Sequence, residues 1–194
     1  MTSRRDAVRS IAGIAALPFL GTLGVEELIE VGRRAHTLAK LRESGASPAS
    51  PRALTVAEYA MLSQAAERII PRTATPGATD ARVADFIEVM LADWYSAADR
   101  DRFRTGLSEL DDRARKLTGR AFVKTTERQQ TEVLETLDHE LHIQRQSGLA
   151  GADDHWFAML KHLTIWGYYT SRPGIVDELR LDLVPGRYDG NARY

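Results

Sequence analysis

The chain reads as an all-α protein: one small helical domain of about five main helices with an irregular C-terminal tail, preceded by a basic leader and a linker. Three observations predict this. Apolar residues recur at three- and four-residue spacing through most of residues 54–169. Two capping boxes, Thr55 with Glu58 and Thr126 with Gln129, mark helix starts. No alternating run of convincing strand length appears.

The leader comes first. Arg4 and Arg5 stand just ahead of the weakly apolar stretch Ile11 to Leu23. That run is about the ~7–15 residues of a signal-peptide core and well short of the ~20 needed to cross a bilayer. Ala12, Gly13, Ala15, Ala16 and Gly21 dilute it, and Pro18 interrupts it. Paired arginines before a poorly hydrophobic core are the pattern of a twin-arginine signal, which makes Arg4 and Arg5 the signal residues. The pattern has departures: Ala7 and Val8 stand where Phe and Leu are common, and Thr37-Leu38-Ala39 is a poor cleavage site. The plainer alternative is a cytosolic protein with a basic, apolar first helix. Residues 1–39 are therefore assigned to signal and spacer, 40–53 to a Ser/Pro-rich linker, and 54–194 to the helical domain. Within the spacer, Glu26 to Arg42 is charged and open to a helix, whereas Ser44 to Pro51 has a composition that resists packing.

The domain's elements follow in order. The box at Thr55 opens a helix that sets Tyr59, Leu62, Ala66, Ile69 and Ile70 on one face and stops at Pro71. A turn-rich loop, Pro71 to Ala78, leads to a second helix from about Asp80 to Tyr95, with Val83, Phe86, Ile87, Met90, Leu91 and Trp94 as its stripe. Ser96 caps a third, Ala97 to Leu117, carrying Phe103, Leu107, Leu110, Ala114 and Leu117. The box at Thr126 opens a fourth, to about Gln144, through Val133, Leu134, Leu137 and Leu141. Gly148 to Gly151 breaks the chain before a fifth, with Trp156, Phe157, Leu160, Leu163, Thr164 and Tyr168. The tail has room for a short helix from Ile175 to Leu181 before Pro185-Gly186-Arg187-Tyr188.

Composition narrows the function. The 194 residues suffice for one domain with a proper core. A formal charge of −1 leaves no electrostatic footprint for nucleic acid. The absence of cysteine excludes disulfides, c-type haem attachment, thiolate zinc sites and iron–sulfur ligation in this chain. Neither a glycine-rich dinucleotide loop, a phosphate-binding loop nor a Gly-x-Ser-x-Gly elbow is present. His139 and His142, with Glu135 and Asp138 each four residues before one of them, could make a free-standing metal-dependent enzyme. The spacing lacks the Glu-x-x-His pairs of di-iron bundles, and a solvated face of charge pairs is the simpler reading. His155 and His162 beside aromatics read as partly buried, hydrogen-bonded histidines. No catalytic, cofactor-binding or metal-binding residue is assigned.

Trp156, Phe157, Trp166, Tyr168, Tyr169 and Tyr188 crowd the last forty residues. One helix face cannot bury adjacent bulky residues such as those of Trp166-Gly167-Tyr168-Tyr169, so some of them are candidate anchors for a partner protein. The competing reading is that the chain's own tail covers them.

The ordered set Leu54-Thr55, Glu58-Tyr59, Arg68-Ile69-Ile70-Pro71-Arg72-Thr73, Thr75-Pro76-Gly77-Ala78, Val83, Phe86-Ile87, Gly106-Leu107, Leu110-Asp111, Trp156-Phe157 and Leu160-Lys161 resembles the gluconate 2-dehydrogenase subunit 3 family. Its most specific part is Gly167-Tyr168-Tyr169-Thr170-Ser171 with Glu178-Leu179-Arg180 and Pro185-Gly186-Arg187-Tyr188. The resemblance implies a non-catalytic small subunit of a periplasmic or membrane-associated sugar or sugar-acid dehydrogenase. It also implies that FAD sits in a large glucose–methanol–choline-type partner and haem c in a separate cytochrome subunit. The small subunit would bind the folded flavoprotein, carry it through the twin-arginine translocase and stay attached, reaching the membrane only through the complex. On that reading Pro76, Trp166, Tyr168, Tyr169, Arg187 and Tyr188 are the candidate interface residues. A cytosolic helical adaptor without an export role stands as the alternative.

Overall fold

The structure, a computed structural model, describes residues 25–43, 52–147 and 155–180. Arg4, Arg5, Arg187 and Tyr188 lie outside them, as do the linker serines and the Gly148–Gly151 break. The described residues form six α-helices and no strand: α1 Val25–Glu43, α2 Val56–Ile69, α3 Val83–Asp93, α4 Ala97–Thr118, α5 Glu127–Gln146 and α6 Trp156–Tyr169. A single 3-10 turn, Phe122–Lys124, joins α4 to α5, and a π-helical turn, Pro173–Glu178, follows α6.

The helix starts that the caps predict are present. Thr55 Oγ1 accepts from the Glu58 amide at 3.3 Å while the Glu58 carboxylate accepts from the Thr55 amide at 2.7 Å. Thr126 and Gln129 make the same reciprocal pair, and Ser96 caps α4. Each such cap contributes about 1 kcal/mol by satisfying amides that the helix leaves without partners. Gly119 ends α4 at a φ of 72°, a left-handed conformation that glycine adopts without a Cβ clash.

α6 is the centre of the fold. It packs against every other α-helix, and twelve of its fourteen residues are buried, from Trp156 to Tyr168 with only Lys161 excepted. A helix that is apolar on all sides belongs inside a protein. The set expected for this segment, Trp156, Phe157, Leu160, Leu163, Thr164 and Tyr168, is therefore too small: Ala158, Met159, Ile165 and Trp166 are also buried. Phe157, Met159, Leu160, Leu163 and Ile165 each contribute about 1.5–3 kcal/mol through burial. No other helix buries so many residues, which makes α6 the element the rest is assembled on.

The other helices sheath it. α3 and α4 approach α6 most closely through small residues. Gly167 lies against the Phe86 ring of α3, and Gly106 of α4 lies under the indole of Trp156. The Trp156 Nε1–H donates to Glu109 of α4 at 2.9 Å, so the indole is both packed and hydrogen-bonded. α2 closes against α3, α4, α5 and α6 with Leu62, Ala65 and Ala66 buried. α5 contributes Val133, Leu134, Leu137 and Leu141, the four residues its periodicity points to.

Four expectations need correction. α1 is a full helix seated on α3 and α6, with Ala35 and Ala39 buried, so the folded body extends upstream of the boundary at residue 54. α3 begins at Val83 rather than Asp80, because the Asp80 side chain accepts from the Gly77 amide and Arg82 takes a left-handed φ of 57°. Leu117 is 52 % exposed; the core at that end is closed by Phe122, whose amide is held by Asp111 at 2.7 Å. The short helix expected at Ile175 to Leu181 is instead the π-helical turn Pro173–Glu178.

A Cβ on Gly106 would fall 2.1 Å from the Trp156 ring, whereas one on Gly119 meets nothing within 4 Å. Gly106→Ala is therefore expected to cost about 2 kcal/mol or more through overpacking. Gly119→Ala is expected to cost about 1 kcal/mol from backbone strain alone. Urea-unfolding midpoints of the two variants check the order.

Candidate partner interface

Two segments about ninety residues apart in sequence meet at one end of α6, the loop 70–82 and the stretch 167–178. The loop is built as a rigid object. Pro71 ends α2, and the Glu67 carboxylate in that helix's last turn then accepts from two loop amides, Arg72 at 3.0 Å and Thr79 at 2.8 Å. The Ala78 amide returns to the Ile70 carbonyl at 2.9 Å, and the Arg72 guanidinium pairs with Asp80. Glycine at 77 lets the loop close, because a Cβ there would stand 2.6 Å from the Arg72 amide nitrogen.

α6 and the π-helical turn hold the loop from beneath. The Tyr168 hydroxyl donates to the Pro76 carbonyl at 2.6 Å, and the Thr75 hydroxyl donates to Glu178 at 2.6 Å. Ser171 Oγ donates to the Tyr168 carbonyl at 2.6 Å and accepts from the Gly174 amide at 3.2 Å. Burial pushes the Tyr168 hydroxyl up from the ordinary tyrosine range, so it remains a donor at physiological pH. The outcome is a braced ledge. Its exposed residues include Pro71, Arg72, Thr73 and Ala74 on the loop and Arg172, Val176 (46 % exposed) and Leu179 (37 % exposed) on the stretch after α6.

The sequence-predicted interface residues divide accordingly. Pro76 and Tyr169 are half-buried at the ledge, the Tyr169 ring standing edge-on to Tyr168 at 5.2 Å. Trp166 and Tyr168 are 3 % and 1 % exposed, so in this fold they are core residues and not surface anchors. Trp166 packs edge-on against Phe86 at 5.4 Å, and Tyr168 acts from inside by holding the loop. Arg187 and Tyr188 lie outside the described residues.

The loop Pro71–Thr79 and the tail from Ser171 onward are the interface segments the sequence points to, and Ser171, Val176 and Leu179 fall within the second; Glu67 belongs to neither. Glu67 sits four residues before Pro71, where a side chain in a helix's last turn can reach the loop that follows.

The histidine face of α5 is a network of polar contacts. Asp138 pairs with Lys161 of α6 rather than with His142, and His142 Nε2 meets Gln146 at 2.9 Å. Among the described residues no group of three or more His, Cys, Asp or Glu is placed to hold a metal ion. His155 caps α6, its Nδ1 accepting from the Phe157 amide at 3.2 Å, and His162 is 8 % exposed within the core. No described helix is long and apolar enough to cross a membrane.

The fold and the ledge define a small all-α body whose most elaborated surface is made of backbone-braced loop and turn. The chain belongs to the gluconate 2-dehydrogenase subunit 3 family, whose model matches residues 56–186. The matched span starts on the first residue of α2 and takes in both halves of the ledge; α1 precedes it. The family's name is that of one subunit of a multi-subunit dehydrogenase. No curated protein and no solved structure matches the chain.

Removing the Tyr168 hydroxyl strands the Pro76 carbonyl, so Tyr168→Phe is expected to lower stability by about 1 kcal/mol or more. Glu67→Ala frees two loop amides at once. Hydrogen exchange is expected to show protection lost at Arg72 and Thr79 while α4 keeps its own.

Proposed function

We propose that this chain is the non-catalytic small subunit of a periplasmic, FAD-dependent sugar or sugar-acid dehydrogenase, and that it escorts the folded flavoprotein through twin-arginine export. The observation that carries the reading is the family match over residues 56–186 in a chain that opens with Arg4-Arg5 and a weakly apolar run. Flavin has to be inserted before export, so the export address is attached to the finished flavoprotein through a second chain. Such an attachment needs a durable interface, above roughly 2,000 Å² of total buried area as in permanent complexes.

The ledge suits that task. Its backbone is held by hydrogen bonds from α2, α6 and the π-helical turn, so little conformational entropy is lost on docking. Val176, Leu179, Pro71 and Ala74 offer apolar contact, with Arg72 and Arg172 at hand for polar contacts. The flavin and the groups that act on the sugar belong to the large partner in this proposal, and a cytochrome subunit receives the electrons.

Co-expression with the partner flavoprotein tests it. Replacing Arg4 and Arg5 by lysine is expected to hold both proteins in the cytoplasm; export of the flavoprotein at the wild-type level would contradict the escort role. Val176→Asp with Leu179→Asp, both at exposed positions, is expected to leave the melting temperature unchanged. The same pair is expected to weaken co-purification by about tenfold or more, equivalent to about 1.4 kcal/mol. Substrate oxidation by the isolated chain would remove the non-catalytic assignment.

A further inference from the structure

α1 sits on the body through an unusual joint. Its seated side is made of small residues: Ala35 and Ala39 are buried, and a Cβ on Gly32 would fall 2.8 Å from the Thr170 side chain. Val31 and Leu38 add partly buried contact, while Arg33, Arg34, Thr37 and Lys40 face water. Small side chains bury little apolar area each, so a polar contact inside the joint adds materially to the seating.

His36 makes such a contact. Its Nε2 lies 2.8 Å from the Gly167 carbonyl and 3.3 Å from Thr170 Oγ1, and its ring packs on Phe86 at 4.8 Å. The Gly167 carbonyl lies in the last turn of α6. The Ser171 amide, its expected helical partner, bonds to the Tyr168 carbonyl instead. His36 thus supplies a donor to a carbonyl at the end of the buried helix. The tautomer follows from the partners. A carbonyl only accepts, and the Thr170 hydroxyl spends its hydrogen on the Trp166 carbonyl at 2.7 Å, so Nε2 must carry the hydrogen. Further protonation would fall on Nδ1 and place a full charge in the joint.

We infer that α1 is an acid-released strap: it is seated on α3 and α6 while His36 is neutral, and protonation of His36 frees it and uncovers Phe86, Gly167 and Thr170. The groups that face the imidazole are the Phe86 ring from α3 and the Gly167 carbonyl and Thr170 hydroxyl from α6. On α1 itself, Arg33 and Lys40 stand one turn to either side and are both cationic. Nothing among them is an acid that would stabilise an imidazolium. Burial lowers the pKa of His36 and outweighs the opposing effect of the Gly167 carbonyl. The free helix has an ordinary histidine, titrating near pH 6.5. It therefore binds the proton more readily than the seated one, so seating is complete above about that pH and is lost as the pH falls below it. This inference does not depend on the export reading.

Hydrogen–deuterium exchange on the full chain between about pH 7.5 and 5.5 tests it, with rates corrected for intrinsic pH dependence and α4 as internal reference. Protection of α1 is expected to fall several-fold relative to α4 in acid. His36→Gln, which donates to Gly167 without titrating, is expected to keep α1 protected throughout. Unchanged α1 protection in the wild type, or the same acid loss in H36Q, overturns the proposal. Should H36Q leave α1 unprotected at every pH, a carbon-13 NMR titration of His36 in the wild type decides. A midpoint below that of a free histidine and coincident with α1 release supports the strap, and a midpoint elsewhere overturns it.

Discussion

Burying α6 on every side removes an entire helix from water, and the chain must then answer the polar groups at that helix's ends from elsewhere. At the N-terminal end His155 and the Glu109 carboxylate do so, one taking the Phe157 amide and the other the Trp156 indole. At the C-terminal end the work is divided among Ser171, the Thr170 hydroxyl and His36. Much of the architecture reads as a response to this demand. Gly167 lets the Phe86 ring close over the helix, Gly106 makes room on α4 for the helix's own Trp156, and the turn after it folds back tightly enough that a Cβ on Gly174 would fall 2.0 Å from the Tyr168 carbonyl.

Local signals in the sequence located most of the helices because the physics there is local. Thr55, Ser96, Thr126 and Pro71 act within a turn of themselves, and each does in the structure what its spacing implies. α5 also obeys its pattern, being covered on one side only. The failures share a cause. Periodicity gives too few buried residues for α6 because it does not count neighbours, and five described helices pack against this one. α1 carries little hydropathy signal, because its buried residues are alanine and glycine with a half-buried histidine between them. The ledge was half legible: its two segments stood out as turn-rich and aromatic, but their meeting depends on Tyr168 and Glu178 reaching across about ninety residues.

The aromatic cluster shows how one composition supports two readings. Adjacent bulky residues near the end of a chain look like a binding surface when only one helix face is assumed. With α6 enclosed, Trp166 and Tyr168 find places inside, and the outward surface passes to smaller residues on the loop and turn. The ion pairs across the sheath, such as Arg113 with Glu140 and Arg104 with Glu58, involve partly exposed groups. Pairs of this kind contribute little individually, and the body rests on its apolar centre.

The three tryptophans are distributed so that the protein carries its own optical probe. Trp156 and Trp166 stand on the first and the third turn of the central helix, both deeply enclosed, whereas Trp94 closes α3 in a half-exposed position. Trp156 also faces the His155 imidazole at 6.0 Å with 28° between the ring planes, close enough for the ring to influence its emission. Two of the three indoles therefore report on the surroundings of one helix, and a shift in emission wavelength registers water reaching that helix.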